Sequence, residues 1–251
     1  MENQLIEERN RLDAMAETYF SAKAQGPDRL QKLYCLEKII PHVLGPDVLE
    51  MSYNDGLWTD ALLAAGHTVT IVEGARNLID HARRRYADNP RVTCVHSLFE
   101  EFTPKQHFDD VLMPFILEHV IDPVALLTKA RDWTAPDGLM HVLVPNKTSM
   151  HRRIGLLMGL MPDLDYLDTT DIAVGHRRHY SLENFQTVLD KAGLQTLSMQ
   201  GVFLKPVHSG AMMDWPEKRL EAFNVLAGEL PPQWSAFLCA RCNSPIRHIG
   251  Q

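Results

Sequence analysis

Residues 47–56, Asp47-Val48-Leu49-Glu50-Met51-Ser52-Tyr53-Asn54-Asp55-Gly56, read as a short apolar strand that runs into a polar turn. From Trp58 to Ala65 the pattern becomes helical and closes at Gly66. The same rhythm then repeats. Thr68–Val72 is β-branched and strand-like, Ala75–Tyr86 is a helix with basic residues at Arg83, Arg84 and Arg85, and Val92–Val95 is a third strand. Asp110–Met113 is a fourth strand, Pro123–Trp133 a helix with proline suited to its first turn, and Leu139–Val144 a fifth strand. Strands alternating with helices of this length predict βαβ units and a parallel sheet. The near-continuous apolar strands predict helical cover on both faces.

Outside this core the pattern changes. Leu5, Ile6, Arg9, Leu12, Met15 and Ala16 recur at helical spacing, Gly26-Pro27 breaks the chain, and a second amphipathic helix follows to Pro41. After Pro145, Lys147–Leu160 is helix-like and rich in Met and basic residues, and Asp163–Asp171 is acidic and irregular. Ser181 caps a helix that runs to Ala192 and stops at Gly193. Leu194–Leu204 and Ser235–Cys242 read as two more strands, with a helix at Glu217–Ala227 between them. The expected architecture is α/β: a Rossmann-like, mainly parallel seven-stranded sheet with helices on both faces. Residues 1–45 form an N-terminal helical cap, and residues 46–251 form one domain carrying a lid insertion at 147–180.

A net charge of −7 over 251 residues argues against a general nucleic-acid partner, which would need a basic excess. No apolar run reaches the ~18 residues of a membrane span, and Met1-Glu2-Asn3-Gln4 lacks a signal-peptide pattern. Four cysteines are too few for a disulfide framework, so a reducing cytoplasm is the expected location. Cys239 and Cys242 form a C-x-x-C that could be half a zinc site or a redox pair, but it lies in an apolar strand run and reads as strand residues. His42, His67 and His248 read as surface residues.

In an open parallel sheet, ligands bind beyond the carboxyl ends of the strands. The turn after the first strand places small or turn-prone residues at alternate positions, Ser52, Asn54 and Gly56, behind the acidic Glu50. Glu73 ends the second strand, where a carboxylate can accept both hydroxyls of a ribose. A nicotinamide-binding G-x-G-x-x-G would put Leu57 at its third glycine, which excludes it. The evenly spaced turn resembles that of the class I S-adenosylmethionine-dependent methyltransferases, acidic-x-Gly-x-Gly-x-Gly. Val72-Glu73-Gly74-Ala75, His96-Ser97-Leu98-Phe99, Phe115-Ile116-Leu117-Glu118-His119-Val120 and Ala135-Pro136-Asp137-Gly138-Leu139 resemble later motifs of that family, in order. Gly175-His176-Arg177-Arg178-His179-Tyr180-Ser181 resembles the G-H-x-R-x-Y segment of a bacterial small-molecule branch. The likeness covers about residues 46–242. It departs from the family at Ser52 and Asn54, where glycine is usual because it permits positive φ and close ligand approach. Asn is the next most tolerant residue there.

The resemblance implies methyl transfer from S-adenosylmethionine, leaving S-adenosylhomocysteine, to an oxygen or nitrogen of a small metabolite or natural-product intermediate. It implies cofactor contacts from Glu50, Ser52, Asn54, Gly56, Glu73, Ser97, Leu98 and Phe115, with Glu73 on the ribose, Leu98 on adenine and Phe115 near the methionine portion. His119, His176 and His179 are the candidate catalytic residues, since a hydroxyl or protonated amine needs a base. Tyr19, Arg152, Arg178 and Tyr180 are the expected substrate contacts, and the basic residues of 147–153 and 177–178 suit an anionic acceptor. No metal site is expected: Glu118-His119 with Asp122 has no partner pair at ligand spacing. No G-x-S-x-G supports a hydrolase. A catalytically inactive binding protein with an altered cofactor loop is the rival reading. The N-terminal helices could pair two chains.

Overall fold

The structure is a computed structural model that describes residues 2–19 and 27–244. The elements are α1 (Glu2–Tyr19), α2 (Pro27–Ile39), β1 (Asp47–Met51), α3 (Leu57–Ala64), β2 (Thr68–Glu73), α4 (Arg76–Arg85), β3 (Val92–His96) and β4 (Phe108–Pro114). They continue with α5 (Pro123–Trp133), β5 (Thr134–Pro145), α6 (Met150–Leu157), α7 (Thr169–Ala173), α8 (Leu182–Lys191), β6 (Gln195–Val202), α9 (Glu217–Ala227) and β7 (Phe237–Asn243).

Seven strands form one sheet in the order β3-β2-β1-β4-β5-β7-β6. The first five pair in parallel, and β7 runs antiparallel to both β5 and β6. One apolar core holds Leu126 and Leu127 of α5 with Phe185 and Leu189 of α8 against one sheet face. The other holds Tyr34 of α2, Trp58 and Leu62 of α3 and Ile79 of α4 against the opposite face. Strand order reverses between β1 and β4, the position at which such sheets open a ligand crevice beyond their carboxyl ends.

Local chemistry sets several boundaries as expected. Asp122 caps α5 by accepting from the Ala125 amide, with Pro123 in the first turn. Ser181 and Asn184 form a reciprocal capping box on α8, and Gly193 follows its end at φ 73°. Other boundaries moved. β5 begins at Thr134, so the Ala135-Pro136-Asp137-Gly138 segment lies within the strand, where the ladder with β4 shifts register between Phe108 and Asp110. The helix expected over Lys147–Leu160 is confined to Met150–Leu157, and the acidic stretch contributes the short α7, capped by Asp168.

Residues 147–179 leave and rejoin the sheet at one point. Asn146 bridges Tyr180, the Lys147 amide donates to the Tyr180 carbonyl at 2.8 Å, and the Tyr180 amide donates to that of Pro145 at 3.2 Å. His67 is buried rather than a surface residue, because its Nδ1 is hydrogen-bonded to the Gly45 carbonyl at 2.8 Å. Cys239 and Cys242 are buried free thiols on β7. Three apart on a strand, they point to opposite faces and form no pair. The side chain of Tyr19, together with Phe20 and His248, lies outside the described residues. Among the described residues no helix is long and apolar enough to cross a membrane.

Candidate active site

The turn after β1 follows a glycine-type path although two of its residues are not glycine. Ser52 has φ 72°, Asn54 φ 52° and Gly56 φ 82°. Such values strain an L-residue by ~1–2 kcal/mol, so the surrounding contacts must hold them. Those contacts converge on Glu73. Ser52 Oγ and the Tyr53 amide each donate to Glu73 Oε2 at 3.0 Å, and the Ala75 amide donates to Oε1 at 2.8 Å. Burial raises the Glu73 pKa, and these donors offset part of that rise. Tyr53 is turned under the turn, fully buried, with its hydroxyl 2.9 Å from His81 Nδ1. Gly56 is required by that packing: a Cβ there would sit 2.8 Å from the Tyr53 hydroxyl.

The carboxyl ends of the first four strands surround a cleft. Ser52, Asn54, Glu73, Leu98 and Phe115 wall it, and His119 closes one end. Phe115 also has a positive φ, 59°, and its ring meets Phe237 edge to face. Glu50, Gly56 and Ser97 do not line the cleft. Glu50 lies beneath the turn, where Oε2 accepts from Thr59 at 2.7 Å and burial pushes its pKa up to about 8. Ser97 turns its hydroxyl back to the Leu98 carbonyl at 2.9 Å.

Sequence reasoning brought the N-terminal helix to the site through Tyr19 and missed the residues of α1 that line the cleft. Glu8, Arg11 and Leu12 line the open side of the cleft. The helix is tied down by Arg9–Glu101, Arg177–Glu8 and the Arg76 amide on Asp13 at 2.7 Å. Gly74 leaves space for Leu12, since a Cβ there would lie 2.7 Å from Leu12 Cδ1.

The segment 175–180 is laced to the loop after β4. Arg178 donates to the carbonyls of Leu117, Val120 and Ile121, Arg177 Nε to that of His119 at 2.7 Å, and the Tyr180 hydroxyl to that of Leu117 at 3.0 Å. Arg178 and Tyr180 are therefore corrected from substrate contacts to groups that position this loop. Arg152 is also corrected: it is buried, donates to the Leu164 and Tyr166 carbonyls and faces Asp171 at 3.7 Å. Lys147 pairs with Asp165. The basic residues expected to draw an anionic acceptor are thus consumed by the acidic stretch and by carbonyls.

The three histidines come together. His119 and His176 rings lie 4.9 Å apart edge to face, and His176 and His179 lie 5.5 Å apart. Asp171 Oδ1 bonds His176 Nδ1 at 2.9 Å and His179 Nε2 at 3.0 Å. Burial pushes the Asp171 pKa up, but these two partners outweigh it and hold the carboxyl well below its usual range. Burial, reinforced by the facing His176, lowers the His119 pKa to about 3. Of the three, only His119 walls the cleft; His179 is buried behind it.

A sheet of this order, with a tight positive-φ turn after β1 and an acidic residue ending β2 in one cleft, defines a class I S-adenosylmethionine-dependent methyltransferase. A family model described as a methyltransferase domain matches residues 16–199, and the chain belongs to that family. It is 26% identical over 113 residues to a ubiquinone biosynthesis O-methyltransferase of Actinobacillus pleuropneumoniae, covering 42% of this chain and 48% of that protein. The match thus spans about half the length of that curated relative. The CcbJ methyltransferase of Streptomyces caelestis superposes with a TM-score of 0.62 at 15% identity, covering 93% of this chain and 97% of its own. The glycopeptide N-methyltransferase MtfA, crystallised with S-adenosylmethionine, superposes with a TM-score of 0.57 at 15% identity, covering 90% of each chain.

The residues present fit the cofactor. Each carboxylate oxygen of Glu73 accepts about two hydrogen bonds. Oε2 is filled by Ser52 and Tyr53, while Oε1 keeps capacity for a ribose hydroxyl. Leu98, Leu78 and Phe99 offer an apolar wall for a purine.

Proposed function

We propose that this methyltransferase acts on an oxygen of a small hydroxylated molecule, with nitrogen as the alternative acceptor. Ser52, Asn54, Glu73, Leu98 and Phe115 hold the cofactor in this reading. The observation that carries it is a cleft lined by Glu73, Leu98 and His119 together. The preference for oxygen rests on the O-methyltransferase named among the curated relatives.

The bound cofactor supplies an electrophilic methyl group on a positive sulfur. The protein's task is then to orient the acceptor in line. Glu73 fixes the ribose, and α1 excludes water through Leu12. His119 stays neutral at physiological pH, and its unpartnered Nδ1 keeps a lone pair for the group that holds the acceptor oxygen. A conjugate acid near 3 is poorly matched to general-base work at neutral pH, so His119 orients more than it deprotonates. His176 and His179 act behind it through Asp171.

Calorimetry with S-adenosylhomocysteine on wild type and Glu73→Gln tests the cofactor assignment. An affinity loss of tenfold or more is expected, and an unchanged affinity overturns the ribose assignment. Transfer of labelled methyl groups to panels of phenols, catechols and amines tests the acceptor; labelling of amines alone overturns oxygen. The rival reading, a binding protein without turnover, draws on the Ser52 hydroxyl that already occupies Glu73. Tight cofactor binding with no labelled product across both panels would favour it.

A further inference from the structure

Glu118 and His119 lie midway along the loop after β4, and His176 arrives from the returning end of the 147–180 segment. One donor atom from each lies within 4.8 Å of the other two. Two of these side chains hold buried polar atoms that have no partner among the described residues. Glu118 is 1% exposed and its Oε2 has no partner; His119 Nδ1 is equally unpartnered. A buried polar atom without a partner costs ~1–3 kcal/mol, so two converging on one point call for a ligand.

The third side chain is already oriented. Asp171 engages His176 at Nδ1, which leaves Nε2 as the available lone pair. Metal-binding histidines commonly donate their other ring N–H to a carboxylate in this way. Asp171 is itself steadied by His179. The backbone under the ligands is fixed as well, by the Arg177 and Arg178 bonds to the carbonyls of residues 117, 119, 120 and 121. The donor set is two imidazoles and one carboxylate. That set suits a divalent first-row transition ion, with coordination positions left for a further ligand.

We infer that Glu118, His119 and His176 form a divalent metal site at the acceptor end of the cofactor cleft, which binds the oxygen of the methyl acceptor. This deepens the proposed function and rests on it. The sequence argued against a metal because Glu118-His119 lacked a neighbouring pair; the fold supplies the missing ligand from a distant loop. Tetrahedral Zn²⁺ with ligands at ~2.0–2.2 Å needs donor separations of roughly 3.3 Å. The side chains must therefore draw together on binding. An ion there lowers the pKa of a hydroxyl bound to it, with the proton passing to solvent.

The test is Zn²⁺ binding by calorimetry on the full chain, with Co²⁺ visible absorption as a second readout of ligand geometry. Wild type is expected to bind one equivalent at micromolar affinity or tighter, with tetrahedral or five-coordinate Co²⁺ bands. Glu118→Gln and His176→Gln should each weaken binding at least tenfold, and thermal melts show whether these near-isosteric variants remain folded. His179→Ala should weaken it less than either. Absence of Zn²⁺ binding overturns the site. So does binding that Glu118→Gln spares and His179→Ala abolishes, which would put the ion on Asp171, His176 and His179 instead. Should a variant unfold, the wild-type Co²⁺ spectrum decides: octahedral bands without imidazole ligation overturn the site. S-adenosylhomocysteine affinity measured on the same samples separates the two readings. Intact cofactor binding without Zn²⁺ sinks the metal site alone, whereas loss of cofactor binding sinks the function on which it rests.

Discussion

Replacing Ser52 by glycine is expected to tighten cofactor binding by roughly tenfold at a cost in stability of ~1–3 kcal/mol. Ser52 Oγ sits 3.0 Å from Glu73 Oε2, and the Tyr53 amide takes that oxygen's other site. A ribose diol therefore meets a carboxylate with capacity mainly on Oε1, and its second hydroxyl must displace the serine. Glycine frees that position, and one hydrogen bond to a charged acceptor is worth ~1.5–3 kcal/mol. The lower figure corresponds to about a tenfold change in Kd. Three terms act on stability. Relief of a left-handed φ of 72° gains ~1 kcal/mol. The greater freedom of an unfolded glycine costs ~0.4–1 kcal/mol, and the lost serine bond to the same charged acceptor costs ~1.5–3 kcal/mol. The sum is a net loss of ~1–3 kcal/mol. Ser52→Ala is the control, because it deletes the hydroxyl but keeps the strained backbone. It should tighten S-adenosylhomocysteine binding as glycine does, yet melt below wild type. Calorimetry and thermal denaturation read both quantities. If Ser52→Ala leaves affinity unchanged while Ser52→Gly improves it, the backbone and not the hydroxyl limits binding, and the competition argument fails.

Three further outcomes follow from the geometry. Glu50 is held near pKa 8 by burial, against 4.5 for an ordinary Glu, so the folded state keeps a proton that the unfolded state releases. Ligand-free stability should therefore fall as pH rises from about 4.5 to about 8 and level off above that. Glu50→Gln should flatten this slope and raise stability at pH 8, by an amount bounded at about 5 kcal/mol; a variant with the wild-type slope would show that Glu50 does not carry it. Arg178→Ala removes the donor to three carbonyls of the loop before α5 and should cost ~2–4 kcal/mol in urea denaturation. Arg178→Lys should rescue little of it, since a single ammonium cannot reproduce the guanidinium fork. Gly74→Ala sets a Cβ against Leu12 and Leu98 and should loosen α1 from the cleft. Faster proteolysis within residues 2–19 and faster cofactor release would be the signs, and an unchanged release rate would remove α1 from the role of cover.

The alternation of short apolar strands with helices from Asp47 to Val144 was readable because each element's periodicity and punctuation are local. Asp122-Pro123, Ser181 and Gly193 mark their boundaries by chemistry within a few residues. The turn at Ser52, Asn54 and Gly56 was readable for the same reason: left-handed backbone selects glycine first and Asn next, and the observed φ values lie in that region. Ser52 was the residue least expected there, and a carboxylate from the next strand holds it. Cys239 and Cys242 were legible as strand residues from the apolar run around them.

What could not be read depends on contacts between residues far apart in the chain. A sequence shows Arg152, Arg178 and Tyr180 as groups able to meet a substrate; only the folded chain shows their hydrogen bonds already spent on backbone carbonyls. His67 looked exposed until the Gly45 carbonyl was brought against it. That Glu8, Arg11 and Leu12 of α1 would line the cleft could not be foreseen either, because helical periodicity fixes which face is apolar but not what that face meets. Thus local sequence set the elements, their order and the cofactor turn, through backbone preferences that act over a few residues. Tertiary structure alone decided which charges are consumed, which acids stay unpartnered, and that His176 meets Glu118 and His119, because each of these is fixed by where the return of the 147–180 segment closes in space.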